Sequence, residues 1–343
     1  MNNGISRMAF ACTALAAFLF FACNRSLPIP PVRSVNTYPN VKIMEGRGGI
    51  GPCEPSIAIN PSNPDEMVVG TVLNRVARSV DGGKSWETDI LQSSFGVWGD
   101  PVLAADDEGN FYYAHLSDPS GKNWADPELL DRIVVQKSND NGRSWSDGSF
   151  VGYNPPKDQD KPWMAINPQN QEIYLTWTEF DRYASKNPKH KSRIMFASSA
   201  DRGLSWSDAL RISEREGPCT DEDETPEGAV PAVGPNGEIY VSWSIDSKIM
   251  FDRSPDGGRT WLGRDIEVAE QPGGWNFSIP GLNRTNGLPV TLCDRSSGPY
   301  RGNLYVVWAD QREGKDDTDI RISSSSDGGD SWTPARRVNG DLP

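Results

Sequence analysis

Three features of the sequence predict an all-β fold, a β-propeller of about five repeated four-stranded blades. The 343-residue chain is rich in turn formers, with 33 Gly and 27 Pro, and carries no long apolar run after its N-terminal region. The eight-residue packet "SVDGGKSW" (Ser79 to Trp86) returns as "SNDNGRSW", "SADRGLSW", "SPDGGRTW" and "SSDGGDSW", around Asp81, Asp140, Asp201, Asp256 and Asp327. The intervals of 59, 61, 55 and 71 residues exceed a hairpin and suit one small sheet per repeat.

Taken in order, residues 1–23 read as a secretory signal: Arg7 precedes the apolar run "MAFACTALAAFLFFA", which is too short for a comfortable membrane span. "FFAC" resembles the lipobox of bacterial lipoproteins, which implies a lipidated Cys23, export, and residence at the cell envelope or outer surface; simple cleavage or retention as an anchor is the alternative. Residues 24–51 are Pro-rich and read as an extended linker. Residues 52–343 form the propeller domain. Within it five stretches, such as "PWMAINPQNQEIYLTW", place an apolar strand, a turn and a second strand of alternating β-branched and aromatic residues before each packet. The blades start near Glu54, Asp100, Asp160, Glu227 and Gly287.

In each packet the Asp carboxylate accepts bonds from turn N–H groups, a Gly takes positive φ, and the Trp packs on the sheet. The pattern Ser-x-Asp-x-Gly-x-Ser/Thr-Trp resembles the Asp-box of the sialidase and BNR-repeat superfamily over residues 54–339. The resemblance implies a sialidase-type β-propeller whose Asp-boxes lie on the periphery, away from any site. Sialidases have six blades. The five here imply either closure with help from the N-terminal segment or a fold lacking its last blade, whose open edge needs covering.

On this topology a site gathers where loops enter the inner strands. There the sequence sets Glu54, Asp100, Asp160 beside Lys161, and Glu227 at equivalent positions, a ring of carboxylates able to supply a general acid and base, or simply to cap strand entrances. Arg182 and Arg312 come from opposing strand ends and either reach the mouth or neutralise neighbouring acids. Trp98, Trp124, Trp163 and Trp275 fall on or beside this face, as sugar platforms or as packing. The acidic loop of residues 214–227 is a solvated surface or a calcium loop through Asp221, Asp223 and Glu227; no other cofactor is expected. Cys53 and Cys219 occupy similar loops and either pair or stay free.

The net charge of -13 excludes nucleic acid as a partner and leaves a membrane contact only through Cys23. Two histidines give little material for a zinc site or His-based triad. The resemblance implies an arginine triad, for which Arg182, Arg284 and Arg312 are the candidates; a supporting Glu, at Glu227; an acid at Asp100 or Glu54; and a late Tyr. No motif assigns Tyr183 to that role, and no Phe/Tyr-Arg-Ile-Pro motif is present. Two functions follow: an exo-glycosidase of sialidase type acting on a glycan or glycoconjugate, or a non-catalytic propeller that binds glycan or protein. Convergence of three arginines marks a sialic acid carboxylate, and a carboxylate ring without them marks a neutral sugar, a cation or simple binding.

Overall fold

The computed structural model describes residues 40–46 and 52–341. The leader, Cys23 and most of the linker lie outside the described residues. Five four-stranded antiparallel sheets follow one another along the chain. The first holds β1 (Ser56–Ile59), β2 (Met67–Thr71), β3 (Arg75–Ser79) and β4 (Glu87–Ile90); the second holds β5 (Val102–Ala105), β6 (Phe111–Leu116), β7 (Ile133–Ser138) and β8 (Ser149–Val151). The third holds β9 (Asp158–Ile166), β10 (Ile173–Phe180), β11 (Lys191–Ser199) and β12 (Leu210–Arg211), with β13 (Gly217–Pro218) added beside β11. The fourth holds β14 (Glu227–Val233), β15 (Ile239–Ile245), β16 (Lys248–Ser254) and β17 (Ile266–Glu270). A two-stranded hairpin, β18 (Asn276–Ile279) and β19 (Leu282–Asn286), precedes the fifth: β20 (Val290–Cys293), β21 (Leu304–Asp310), β22 (Asp319–Ser325) and β23 (Arg336–Arg337). The only helical element among the described residues is a single 3-10 turn, Asn123–Ala125.

The first strands of successive sheets contact one another in the order β1, β5, β9, β14, β20, which sets the sheets around a common axis. Four apolar clusters fill the four interfaces. Val68 and Val76 meet Phe111 and Tyr113 between the first two sheets. Ile133 and Val135 meet Leu175 and Trp177 in the next interface. Tyr174 and Phe196 meet Val241 and Trp243 in the third, and Ile249 and Phe251 meet Leu304 and Trp308 in the fourth. Each buried large side chain contributes about 1.5–3 kcal/mol. Strands β6, β10 and β15 are buried at every position, and the Thr and Ser hydroxyls within them are satisfied: Thr176 and Thr178 donate to Ala229 O and Pro226 O, and Ser244 donates to Gln271 Oε1.

The fifth sheet departs from this. Strand β21 alternates buried and half-buried residues, with Leu304, Val306 and Trp308 turned toward the fourth sheet. Its other flank leaves Val290 and Leu292 40% and 52% exposed, and on β1 Ile57 and Ile59 are 54% and 48% exposed. Thus the first and fifth sheets do not bury these residues as other neighbours do, which matches five blades with an uncovered flank. Residues 41–46 lie against the first sheet: Arg75 donates to the Glu45 carbonyl, and Thr71 Oγ1 lies 3.5 Å from Met44 Sδ.

The five packets are near-identical clasps between third and fourth strands. Asp81 Oδ1 accepts from Ser79 Oγ and Ser85 N at 2.9 Å, its Oδ2 accepts from Ser85 Oγ at 2.6 Å, and Trp86 Nε1 donates to Gly83 O at 2.9 Å. Asp140, Asp201, Asp256 and Asp327 repeat the carboxylate pattern. These bonds favour the ionised form and hold Asp81, Asp201 and Asp256 down to about 2. Trp206 differs: its Nε1 reaches Ser149 Oγ of the second sheet at 2.8 Å, tying two sheets together. Cys53 is exposed and Cys219 buried, and both are free thiols, so the open choice resolves against a disulfide.

Candidate functional site at the channel mouth

Four of the five inner strands begin at or near a residue with left-handed backbone. Glu54, Asp100 and Lys161 have φ of 50°, 48° and 51°, each followed by Pro, and Gly228 has φ 72° before Ala229. This corrects the sequence reading by one residue. Lys161 and Gly228, not Asp160 and Glu227, are the equivalents of Glu54 and Asp100; Asp160 and Glu227 sit one step earlier, at the places of Cys53 and Gly99. Because successive strand side chains point oppositely, the one-residue offset divides the carboxylate ring in two. Glu54, Asp100 and Lys161 line a cavity of about 320 Å³ together with Trp163, Asn286 and Pro289. Asp160 and Glu227 are buried beneath it.

Lys161 is the hub. Its Nζ lies 3.3 Å from Asp100 Oδ2. Burial opposes its charge, yet the fields of Asp100, Asp160, Glu227 and Asp221 carry its pKa well above the ordinary value. Burial pushes Asp160 up to about 8, with Lys161 pulling against it. Burial likewise raises Glu227 well above the carboxylate range, and neither of its carboxyl oxygens has a hydrogen-bond partner among the described residues. The result is one ammonium among carboxyl groups, of which two are biased to keep their protons.

The loops joining second to third strands complete the rim. Tyr183, after β10, donates its hydroxyl to Asp221 Oδ2 at 2.7 Å. Burial, then the charges of Asp160 and Asp221, raises its pKa, so the phenol holds its proton. Its ring stacks on Trp124 of the 3-10 turn, with centroids 5.7 Å apart, and Trp98 meets Trp124 edge-on at 6.1 Å.

The remaining predicted residues divide. Trp163 lines the cavity and Trp98 packs half-buried on the core beside it. Trp275 is not a platform: it is buried, and its Nε1 donates to Thr225 O at 3.2 Å. Arg312 turns onto the buried Asp310 at 2.7 Å, within a network in which Arg321 also meets Asp310 and Asp319, so it neutralises an acid of the fifth sheet. Arg182 is exposed, and its charge falls on Asp158. Arg284 belongs to β19, and its side chain lies outside the described residues. In the acidic loop Asp221 meets Tyr183, Asp223 accepts from Asn276 N at 2.8 Å, and Glu227 is buried; among the described residues there is no group of three His, Cys, Asp or Glu that could hold a metal ion.

Sequence reasoning names Lys161, Tyr183 and Asp221 without joining them, and misses the hairpin. Lys161 was noted only as the neighbour of Asp160, although its place before a Pro matches Asp100. Tyr183 and Asp221 meet across 38 residues, a pairing no local pattern shows. The β18–β19 hairpin, which brings Asn286 to the cavity, was signalled by Pro280-Gly281 within an alternating stretch. A larger cleft of about 640 Å³ lies at the opposite rim, beside Asp256 and Arg259 of one packet.

No protein-family model matches the chain, and no curated protein matches it in sequence. Solved structures do match. A Hadza microbial sialidase aligns with TM-score 0.54 at 16% identity, over 84% of this chain, which spans 58% of that protein's length. An α-L-arabinofuranosidase from Fusarium graminearum, in complex with an iminosugar inhibitor, aligns with TM-score 0.53 at 15% identity, over 86% of this chain and 84% of that one. An ulvan lyase aligns with TM-score 0.53 at 14% identity, over 83% of this chain and 69% of that one. The chain therefore has the sialidase-like propeller fold, shared by proteins whose descriptions are of glycan-acting enzymes.

Proposed function

We propose that this chain is an exported glycan-recognising propeller, held at the cell envelope through Cys23, and that it takes a neutral sugar at the channel mouth. The observation that carries the reading is the Lys161–Asp100 pair at 3.3 Å lining the same cavity as Trp163. Such a cavity offers one aromatic face for the apolar side of a sugar ring, with charged donors and acceptors for its hydroxyls. An anionic sugar is disfavoured, because the cavity sets Glu54 and Asp100 beside the single Lys161 and Arg312 is committed to Asp310. The fold's neighbours, described as a sialidase, an arabinofuranosidase and an ulvan lyase, support a glycan as the partner class.

A second reading, hydrolysis, is favoured by Asp160 alone: a buried carboxyl held up to about 8 is a proton donor at neutral pH, and Asp100 stands 3.3 Å from Lys161 Nζ. Calorimetric titration of the protein with a panel of neutral oligosaccharides and a sialoside, with product analysis on the same samples, tests both. Asp100→Asn and Trp163→Ala are each expected to weaken the best ligand roughly tenfold or more. Preference for the sialoside, or unaltered affinity in both variants, would remove the mouth as the neutral-sugar site. Release of product that Asp160→Asn abolishes would establish the hydrolytic reading.

A further inference from the structure

Trp124 is the tryptophan that the fold leaves most in the open among the described residues, 64% exposed, yet it is not loose. Its turn is fastened at both ends: Asn123 N donates to Asp118 Oδ2 at 3.2 Å, Asp126 N donates to Asn123 O at 2.8 Å, and Ser120 Oγ donates to Asp126 Oδ2 at 2.6 Å. One face of the indole rests on Tyr183 at an interplanar angle of 20°, and Trp98 braces it from the side at 85°. Its exposed surface is thus presented on a preorganised ring. A large apolar side chain held so firmly toward solvent points to a ligand surface.

The ring is also linked to the mouth. Tyr183 carries Trp124 on its ring and holds Asp221 by its hydroxyl, and the fields of Asp160 and Lys161 reach that hydroxyl. Acidic residues 221–224 flank the same rim, which disfavours an anionic ring and suits an uncharged one. We infer that the free face of Trp124 is a stacking platform for a neutral sugar ring, an outer subsite that engages a later unit of an oligosaccharide whose first unit occupies the cavity at Lys161 and Trp163. The inference rests on the proposed glycan recognition at the mouth and adds that the preferred ligand is an extended chain.

The test uses the whole protein as wild type, Trp124→Ala and Trp124→Phe. Calorimetry measures affinity for xylo-, arabino- and cello-oligosaccharides of one to five units, and N-bromosuccinimide oxidation of the exposed indole is followed with and without the longest ligand. Wild-type affinity should rise with chain length. Trp124→Ala should lose roughly tenfold for the long ligands while keeping the affinity for the shortest, Trp124→Phe should restore part of the loss, and the long ligand should slow oxidation. Equal length dependence in wild type and Trp124→Ala, with the short ligand still bound, would overturn this subsite and leave the mouth intact. Failure of the wild type to bind any of the three series would overturn both.

Discussion

At the scale of single residues, the chemistry lies in the imbalance around Lys161. One ammonium faces Asp100, Asp160, Glu227 and Asp221, and burial biases Asp160 and Glu227 toward their protonated forms. Asp160 titrates near 8 when folded and near 4 when unfolded. A raised carboxyl favours the fold only while protonated, so its stabilising share is complete below about pH 4 and is lost as pH rises through 8. The packet aspartates work oppositely: with folded values of about 2, their share is present above about pH 4 and is lost as pH falls through 2. Stability measured by denaturant midpoint should therefore be higher at pH 5 than at pH 8. Asp160→Asn should reduce that difference by roughly 4 kcal/mol, from about 1.4 kcal/mol per pH unit across this window, because an amide cannot ionise. An unchanged difference in the variant would show that Asp160 does not titrate in this window. The residue scale is also where the sequence was least legible. Asp160 and Lys161 are consecutive polar residues of β9 and only Lys161 lines the cavity; its own left-handed backbone resets the alternation, and the sequence marks that position only by the Pro that follows. Trp275 and Trp124 are equally aromatic in the sequence, yet one is core and the other surface.

At the scale of elements, the packets were fully legible, because each side chain in them answers a local backbone need. Their glycines are not equal, however. A Cβ at Gly258, with φ +90°, would lie 2.2 Å from the Phe196 ring of the third sheet, whereas one at Gly83, with φ +80°, would meet Trp86 at an ordinary 3.5 Å. Gly83→Ala should cost about 1 kcal/mol from backbone strain, and Gly258→Ala about 3 kcal/mol, because the packed ring must also move. Equal losses in equilibrium unfolding would mean that the clasp does not press against its neighbouring blade. The hairpin β18–β19 escaped the sequence reading because it falls within the longest packet interval, 71 residues, where the regular repeat masked an insertion.

At the scale of the whole molecule, repetition gives the order of sheets, and the inner-strand entrances gather from four of the five sheets around one cavity. Five-fold repetition was plain in the sequence, as was the assignment of clasps and candidate site to opposite rims. The sequence leaves open whether the N-terminal segment helps to close the propeller or a blade is lacking; in the structure Ile57 and Ile59 of β1 and Val290 and Leu292 of β20 stay exposed. What repetition could not reveal is which rim binds, since the clasp rim holds the larger cleft, about 640 Å³ against 320 Å³ at the mouth. The proposed reading takes the smaller one, where charge, a buried acid and an aromatic face meet. The most direct measurement is a crystal structure of the protein soaked with the tightest-binding neutral oligosaccharide. The account predicts a sugar ring against Trp163 with hydroxyls on Asp100 and Lys161; a ring seated instead in the clasp-rim cleft beside Asp256 and Arg259, with the mouth empty, would contradict it.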